Sequence, residues 1–253
     1  MKLKTTLCIF LLFFISKNAQ SESGFPKYLS YLNNQSQIKE SSRWTIEGWL
    51  SQKQRVRLMD QWLAMNTNEL GWELNLSADQ WGSTRSISIN PDSESKKTIS
   101  DYKFSFFYKL IGISASLSNL GNSVDSNEFL FHLRLLGSSM QSSQFEVFGG
   151  VKKNDDSLGV YPKELTIYGG LIEIYLLNFI GTNVSYKNFL ENQNSLSQSV
   201  SGSQLYYGLF IDVSFLRIYG GIQVEDWKFG GENSQVPYTI HNNGTKFGLS
   251  FYF

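Results

Sequence analysis

The sequence predicts an all-β fold: an antiparallel, up-and-down transmembrane β-barrel of about ten strands, preceded by a short N-terminal helix. Three observations predict it. From Leu70 onward, apolar side chains recur at every second position in one segment after another. The connections between those segments alternate between longer and shorter. Although 15% of the chain is aromatic, no segment past the N-terminus is apolar enough to span as a helix. The best, Gly169 to Gly181, is interrupted by Glu173 and Asn178. Alternation reconciles these facts, because a barrel strand shows lipid only every second side chain.

The first element is a targeting signal. Lys2 and Lys4 form a positive start, and Leu7 to Ile15 is an apolar run. Ala19-Gln20-Ser21 then supplies small residues at the −3 and −1 positions of a cleavage site, with a cut after Ala19 as the alternative. The apolar run is too short for a spanning helix, which needs roughly 20 residues. Cys8, the sole cysteine, leaves with the signal, so the mature chain has no disulfide, thiolate metal site or cysteine nucleophile. Cleavage after Ser21 also removes Lys2, Lys4 and Lys17. The whole-chain balance of 22 basic and 22 acidic residues then becomes about −3, which is no footprint for nucleic acid. The chain divides into a signal peptide (1–21), an N-terminal segment with its helix (22–69) and a barrel (70–253).

Glu22 to Ser42 is polar and rich in Ser, Asn and Gln. Thr45 to Asn66 reads as a helix, with Thr45 as N-cap and Glu47 in the first turn. Trp49, Val56, Met59 and Leu63 recur at helical spacing, and Lys53, Arg55 and Arg57 mark a polar face. Gly48 weakens the pattern, and Val56, Leu58 and Trp62 would also suit a strand. A helix capping one open end of the barrel is the simplest role for it.

The strands follow. Outward apolar positions are Trp72, Leu74, Leu76 and Ala78, then Tyr102, Phe104, Phe106 and Tyr108, then Ile111, Ile113, Ala115 and Leu117. Next come Phe129, Phe131, Leu133 and Leu135, and a weaker set of Phe145, Val147, Gly149 and Val151. Leu165, Ile167, Gly169 and Leu171 are read outward, as are Ile180, Thr182, Val184 and Tyr186. Leu205 to Ile211, Leu216 to Val224 and Phe247 to Phe253 complete the series. Long connections are expected at Trp81 to Ser100, Lys152 to Lys163, Asn188 to Gly202 and Lys228 to Gly244. Tight ones are expected near Leu110, Gly137 to Ser142, Leu177-Asn178 and Ser214-Phe215. If Ser214-Phe215 is a two-residue hairpin loop, Asp212 opposes Arg217 and Ile211 opposes Ile218, like with like on each face.

The same parity defines a lumen. Its polar positions include Lys103, His132, Arg134, Glu146, Lys187, Asp212, Arg217, Glu225 and Lys246. Bulky Phe107, Tyr168, Tyr206, Phe210, Tyr219 and Tyr252 are expected among them, interleaved with Gly170, Gly208, Gly221 and Gly248. Charges of both signs and large rings describe a filled interior; selective pores favour rings of one sign. Trp72, Trp81, Tyr102, Tyr108 and Trp227 lie near strand ends, where interfacial aromatic girdles would put them.

The last segment is the most specific motif. Phe247, Leu249, Phe251 and Phe253 alternate, and the sequence stops on the aromatic. This resembles the terminal strand of Gram-negative outer-membrane β-barrel proteins. The resemblance spans the signal, the barrel pattern and that strand, and names an architecture rather than one activity. It implies export to the outer membrane, contact with outer-membrane lipid and recognition of the four residues by the barrel-assembly machinery. An even strand count would put both barrel ends in the periplasm and the long loops outside.

Catalysis has little support in the sequence. His132 points inward beside Arg134, and His241 lies in an expected loop with no serine placed beside it by local spacing. The residues therefore favour a non-enzymatic surface or structural barrel, or a narrow channel with a largely filled lumen. A barrel enzyme acting on lipid or peptide at the surface is the alternative. No cofactor is implied, and no surface ligand can be read.

Overall fold

A strand sheet inside a bilayer cannot leave an open edge, because unpaired backbone N–H and C=O groups in hydrocarbon each cost several kcal/mol. The computed structural model meets that constraint by closure. It describes residues 71–253 apart from 89, 120–123, 157–158 and 231–236, together with Asn34. The expected signal segment and the expected helix over Thr45 to Asn66 lie outside the described residues. Ten strands follow one another: β1 (Trp72–Ile87), β2 (Asn90–Tyr108), β3 (Ile111–Asn119), β4 (Val124–Leu136), β5 (Gln144–Asp156), β6 (Glu164–Tyr175), β7 (Ile180–Gln193), β8 (Ser199–Val213), β9 (Leu216–Phe229) and β10 (Tyr238–Tyr252). Each pairs antiparallel with its sequence neighbour, and β10 returns to β1. Among the described residues, no helix is long and apolar enough to cross a membrane.

Lys109-Leu110 and Ser214-Phe215 are two-residue turns whose first residue has positive φ, 54° at Lys109 and 57° at Ser214. That is the backbone a type II′ hairpin requires, and it matches the twist of the flanking strands. These turns, the barrel's first residue and Phe253 share one end, here the turn end. Phe253 closes the cylinder there through paired backbone bonds with Leu74, at 3.1 and 2.8 Å.

The strands run further than apolar alternation indicated. Most of the expected Trp81–Ser100 loop is paired strand, with β1 reaching Ile87 and β2 starting at Asn90. β7 to β10 likewise extend into the other expected loops at the far, loop end. Ladder pairing needs only backbone, so it continues where both faces are polar and hydropathy gives no sign of it.

Outside, Leu76, Phe104, Ile113, Phe131, Leu209 and Phe247 belong to an exposed apolar belt around the cylinder. Inside, neighbouring backbones approach closely at glycine. A Cβ on Gly221 would lie 2.2 Å from Tyr207 O and 2.6 Å from Gly208 Cα, so β8 and β9 meet in a way only glycine permits.

Two expectations need correction. β6 has the opposite phase: Leu165 (0% exposed) and Ile167 (1%) point inward, while Tyr168 (50%) points out. Tyr168 and Gly170 therefore do not line the lumen. The segment is apolar at both parities, so counting apolar residues could not choose between them; the charge of Glu173 could have. The second correction concerns Trp81 and Trp227, which are buried inside rather than set in an interfacial girdle. Trp72, Tyr102 and Tyr108 are exposed on the outer face.

Candidate functional site in the barrel lumen

The lumen is built in three layers. At the turn end, the β4–β5 connection folds inward instead of crossing the rim. Gly137 adopts φ 106°, and Ser138 to Ser143 are all buried. Lumenal carboxylates and an arginine hold this segment. Glu73 of β1 accepts the Met140 backbone N–H at 3.0–3.1 Å through both oxygens, and it also accepts from Arg134 Nη2 at 3.0 Å. Gln141 Nε2 donates to Ser214 O at 2.8 Å. The Ser143 hydroxyl accepts the Tyr175 N–H at 2.9 Å.

Beside it, Arg217 of β9 is the centre of an ionic cluster. Its Nε lies 2.7 Å from Asp212 Oδ1, and its Nη1 lies 2.8 Å from Glu173 Oε1. Nη2 donates to Tyr175 OH at 2.8 Å, and the guanidinium stacks 3.9 Å from the centre of the Phe210 ring. Tyr175 OH also bonds Asp212, and Gln144 Nε2 donates to Glu173 at 2.8 Å. A planar, always-charged fork suits this site, since it can serve several acceptors at once. Asp212 and Arg217 are direct cross-strand partners.

The middle layer is polar. His132 Nε2 pairs with Ser114 Oγ at 2.8 Å, and His132 Nδ1 lies 3.3 Å from Glu146 Oε2. This has the order of a catalytic triad, but Ser114 does not border the adjoining cavity, whose wall includes His132, Glu146 and Lys103. Ser114 and His132 are both buried, and the chain packs polar groups inside the barrel. That cavity measures about 210 Å³, and a second of about 90 Å³ adjoins it toward the loop end. Lys246 bridges Asp79 at 2.8 Å and Asp101 at 3.4 Å, and Lys187 reaches Glu128 at 2.5 Å. Glu225 borders the second cavity and accepts from Asn242 at 3.1 Å.

The third layer, at the loop end, is apolar. Phe189 stacks on Trp227 at 4.8 Å, and Phe229 stacks on Tyr238 at 4.6 Å. Leu165, Ile167, Val200 and Ile240 fill the spaces between them. Tyr161 from the β5–β6 connection packs edge-on against Trp227 and bonds Arg85.

The lumen thus brings together Lys103, His132, Arg134 and Glu146 on one side, with Asp212 and Arg217 facing them at the turn end and Glu225 higher up. Sequence reasoning missed Glu73, Asp79 and Glu173 as partners, and it missed the inward fold of Gly137–Ser143. The parity of Glu73 and Glu173 was the available signal. Phe247, Leu249 and Phe251 project from the outer face of β10. Among the described residues, no group of His, Cys, Asp and Glu could hold a metal ion.

Comparison with family models and with curated proteins finds no match. Solved structures similar to this chain include Neisserial surface protein A, at 12% identity and TM-score 0.31, covering 71% of this chain and 97% of that one. The translocator domain of the autotransporter NalP from Neisseria meningitidis has 12% identity and TM-score 0.34, covering 77% and 94%. The outer membrane protein OprG from Pseudomonas aeruginosa has 9% identity and TM-score 0.24, covering 75% and 99%. At such scores the architecture rests on the barrel itself. It is a closed ten-strand cylinder, apolar outside and polar within, and this is an outer-membrane β-barrel embedded in membrane lipid.

Proposed function

We propose that this barrel acts at its surface and is not a conduit. One observation carries the reading: the lumen is occupied at both ends. The inward Gly137–Ser143 segment and the Arg217 cluster fill the turn end, and the aromatic layer fills the loop end. What remains are cavities of about 210 and 90 Å³. Barrels near this strand number have interiors that side chains can fill, whereas open aqueous channels come with roughly 16 strands or more. In this reading the loop end faces outward from the cell and presents the working surface. Purified protein in planar bilayers is expected to show no large, stable conductance. A steady porin-sized current would overturn the reading and put transport in its place.

Delivery to the membrane belongs to the same proposal. Phe247, Leu249, Phe251 and Phe253 form an outward apolar row on the closing strand, available to the barrel-assembly machinery before β10 seals against β1. Deleting Phe253, or Phe253→Ser, is expected to lower the amount of heat-modifiable barrel in the outer membrane while export continues. Normal assembly of both variants would remove that role.

A further inference from the structure

A trough runs up the outer face of β8 at the loop end. Its floor is small: Ser203 and Ser201 point outward, on the parity of exposed Leu205, Tyr207 and Leu209. Taller side chains stand on both sides. Register sets Asn188 of β7 and Asp226 of β9 against Ser203, and Lys228 of β9 against Ser201. On β7 the ladder shifts between Phe189 and Asn192, so that Leu190 and Glu191 together oppose Ser201. Such a bulge opens the ladder, re-aims side chains and recurs beside functional sites. With neighbouring strands about 4.8 Å apart, the β7 and β9 walls stand roughly 10 Å from each other. The hollow between them measures about 290 Å³, and Tyr186 borders it on the turn-end side, opposite Leu205.

The trough starts where the apolar belt ends. Immediately toward the turn end, the outward residues are Tyr186 and Val184 on β7, and Leu205, Tyr207, Leu209 and Ile211 on β8, all exposed. Tyr168 of β6 is exposed opposite Asn188 and accepts its amide N–H at 2.8 Å. Tyrosines collect at the boundary between hydrocarbon and headgroups, and Tyr168, Tyr186 and Tyr207 mark it on this side of the cylinder. The described residues bordering the hollow include two carboxylates, Asp226 and Glu191, and one ammonium, Lys228. Asp226 is held by His241 Nδ1 at 2.5 Å, and Glu191 accepts from the Ser199 hydroxyl. A phosphate would meet more negative than positive charge here. Hydroxyl groups meet what they need: carboxylates that accept, an ammonium and an amide that donate, and serines that do both. The Tyr186 ring adds an apolar surface. A sugar ring carries the matching combination, with hydroxyls around its edge and C–H groups on its faces.

We propose that this trough binds the sugar headgroup of a glycolipid in the surrounding leaflet. The proposal rests on the surface-acting reading and names a ligand for it. The occupant is a membrane lipid and not a soluble saccharide, because the trough is continuous with the belt: Leu205, Tyr207 and Leu209 form an unbroken outward row beneath Ser203. Acyl chains lie along that row, and the first sugar lies against Tyr186. Its hydroxyls donate to Asp226 and Glu191 and accept from Lys228 and from the Asn188 amide. Ser201 and Ser203 leave room for the ring, and a large side chain at either position would fill it.

The test uses the folded full-length protein in phosphatidylcholine vesicles that contain a minor fraction of diglucosyl diacylglycerol. The protein is extracted in lauryldimethylamine oxide, a detergent without a sugar, and retained lipid is counted by native mass spectrometry. Folding of each variant is checked by heat-modifiable migration. The wild type is expected to retain the glycolipid about tenfold above its share of the bilayer, the worth of one well-made polar contact. Ser203→Phe, which fills the trough from an outward position, should bring retention down to that share. Tyr186→Ala and Asp226→Asn should each lower it by about three- to tenfold. Leu117→Ala, on the outer face of β3, is the control and should change nothing. Absence of enrichment in folded wild type would overturn the site, and enrichment that survives Ser203→Phe would place the lipid elsewhere. Equal enrichment of phosphatidylglycerol in parallel vesicles would overturn the sugar in favour of a phosphate. Displacement of the glycolipid by free maltose at low concentration would overturn the membrane source. Conductance is read separately in planar bilayers, so failure of this site and failure of the surface-acting reading remain distinguishable.

Discussion

Arg217→Gln is expected to destabilise the barrel by about 3–5 kcal/mol, the usual cost of breaking a buried ion pair from one side. The reason is the number of acceptors that converge on this one cation. Its side chain is 3% exposed, with Asp212 at 0% and Glu173 at 6%, so neither carboxylate can turn to water for compensation. Glutamine cannot supply the charge or the fork, and the Tyr175 hydroxyl loses a partner as well. Arg217→Lys keeps the charge but is expected to fall between wild type and Gln, because an ammonium cannot reproduce the planar geometry. Asp212→Asn alone should also destabilise, since it unbalances the same cluster. The informative comparison is the combination. Adding Asp212→Asn to Arg217→Gln removes one stranded charge and should recover part of the loss; adding Glu173→Gln should recover more. Urea titration of the folded, heat-modifiable fraction measures each step. A double variant no more stable than Arg217→Gln would mean that the pair contributes packing and not charge compensation.

The Asp212–Arg217 pairing was legible because a two-residue turn at Ser214-Phe215 fixes register locally, and parity then assigns every side chain on both strands. The rest of the cluster was not. Glu173 comes from a strand read in the wrong phase, where Ile167, Leu171 and Ile172 make either parity apolar. Its loop-end half, with Leu165 and Ile167, points into the aromatic layer, so apolar residues there face the lumen and the rule of apolar outside fails locally. The inward turn of Gly137–Ser143 was illegible for a different reason. A short run of serines with Met140 and Gln141 looks like any exposed turn, and its partners inside, among them Glu73, Tyr175 and Ser214, are distant in sequence. The Lys246–Asp79 ion pair was hidden by barrel closure itself. β1 and β10 are the most separated strands in sequence and direct neighbours in space, so no local spacing could set Asp79 beside Lys246. Local pattern thus identified strands and most faces, while sites assembled across the closing seam or by inward-folded turns needed the three-dimensional register.

Glu73 supplies the second large effect. Its carboxylate is fully buried and holds two different things: the Arg134 guanidinium at 3.0 Å and the Met140 backbone N–H. Glu73→Ala should cost about 3–5 kcal/mol, because it strands a buried cation whose other acid, Glu146, stands off at 3.8 Å. It should also release the inward segment, since a buried N–H loses its acceptor. Glu73→Gln separates the two roles. Its amide oxygen can still accept the Met140 N–H, while the charge opposite Arg134 is gone. Both variants are therefore expected to lose global stability by urea titration, whereas hydrogen exchange at residues 138–143 should accelerate strongly only in Glu73→Ala. Because the aromatic layer at the loop end is untouched, neither variant should conduct, even with the turn end loosened. Equal exchange in the two variants would show that the segment is held by Gln141 and Ser143 without help from Glu73. Current through Glu73→Ala alone would show that the loop-end layer does not close the barrel and that the inward segment is its gate.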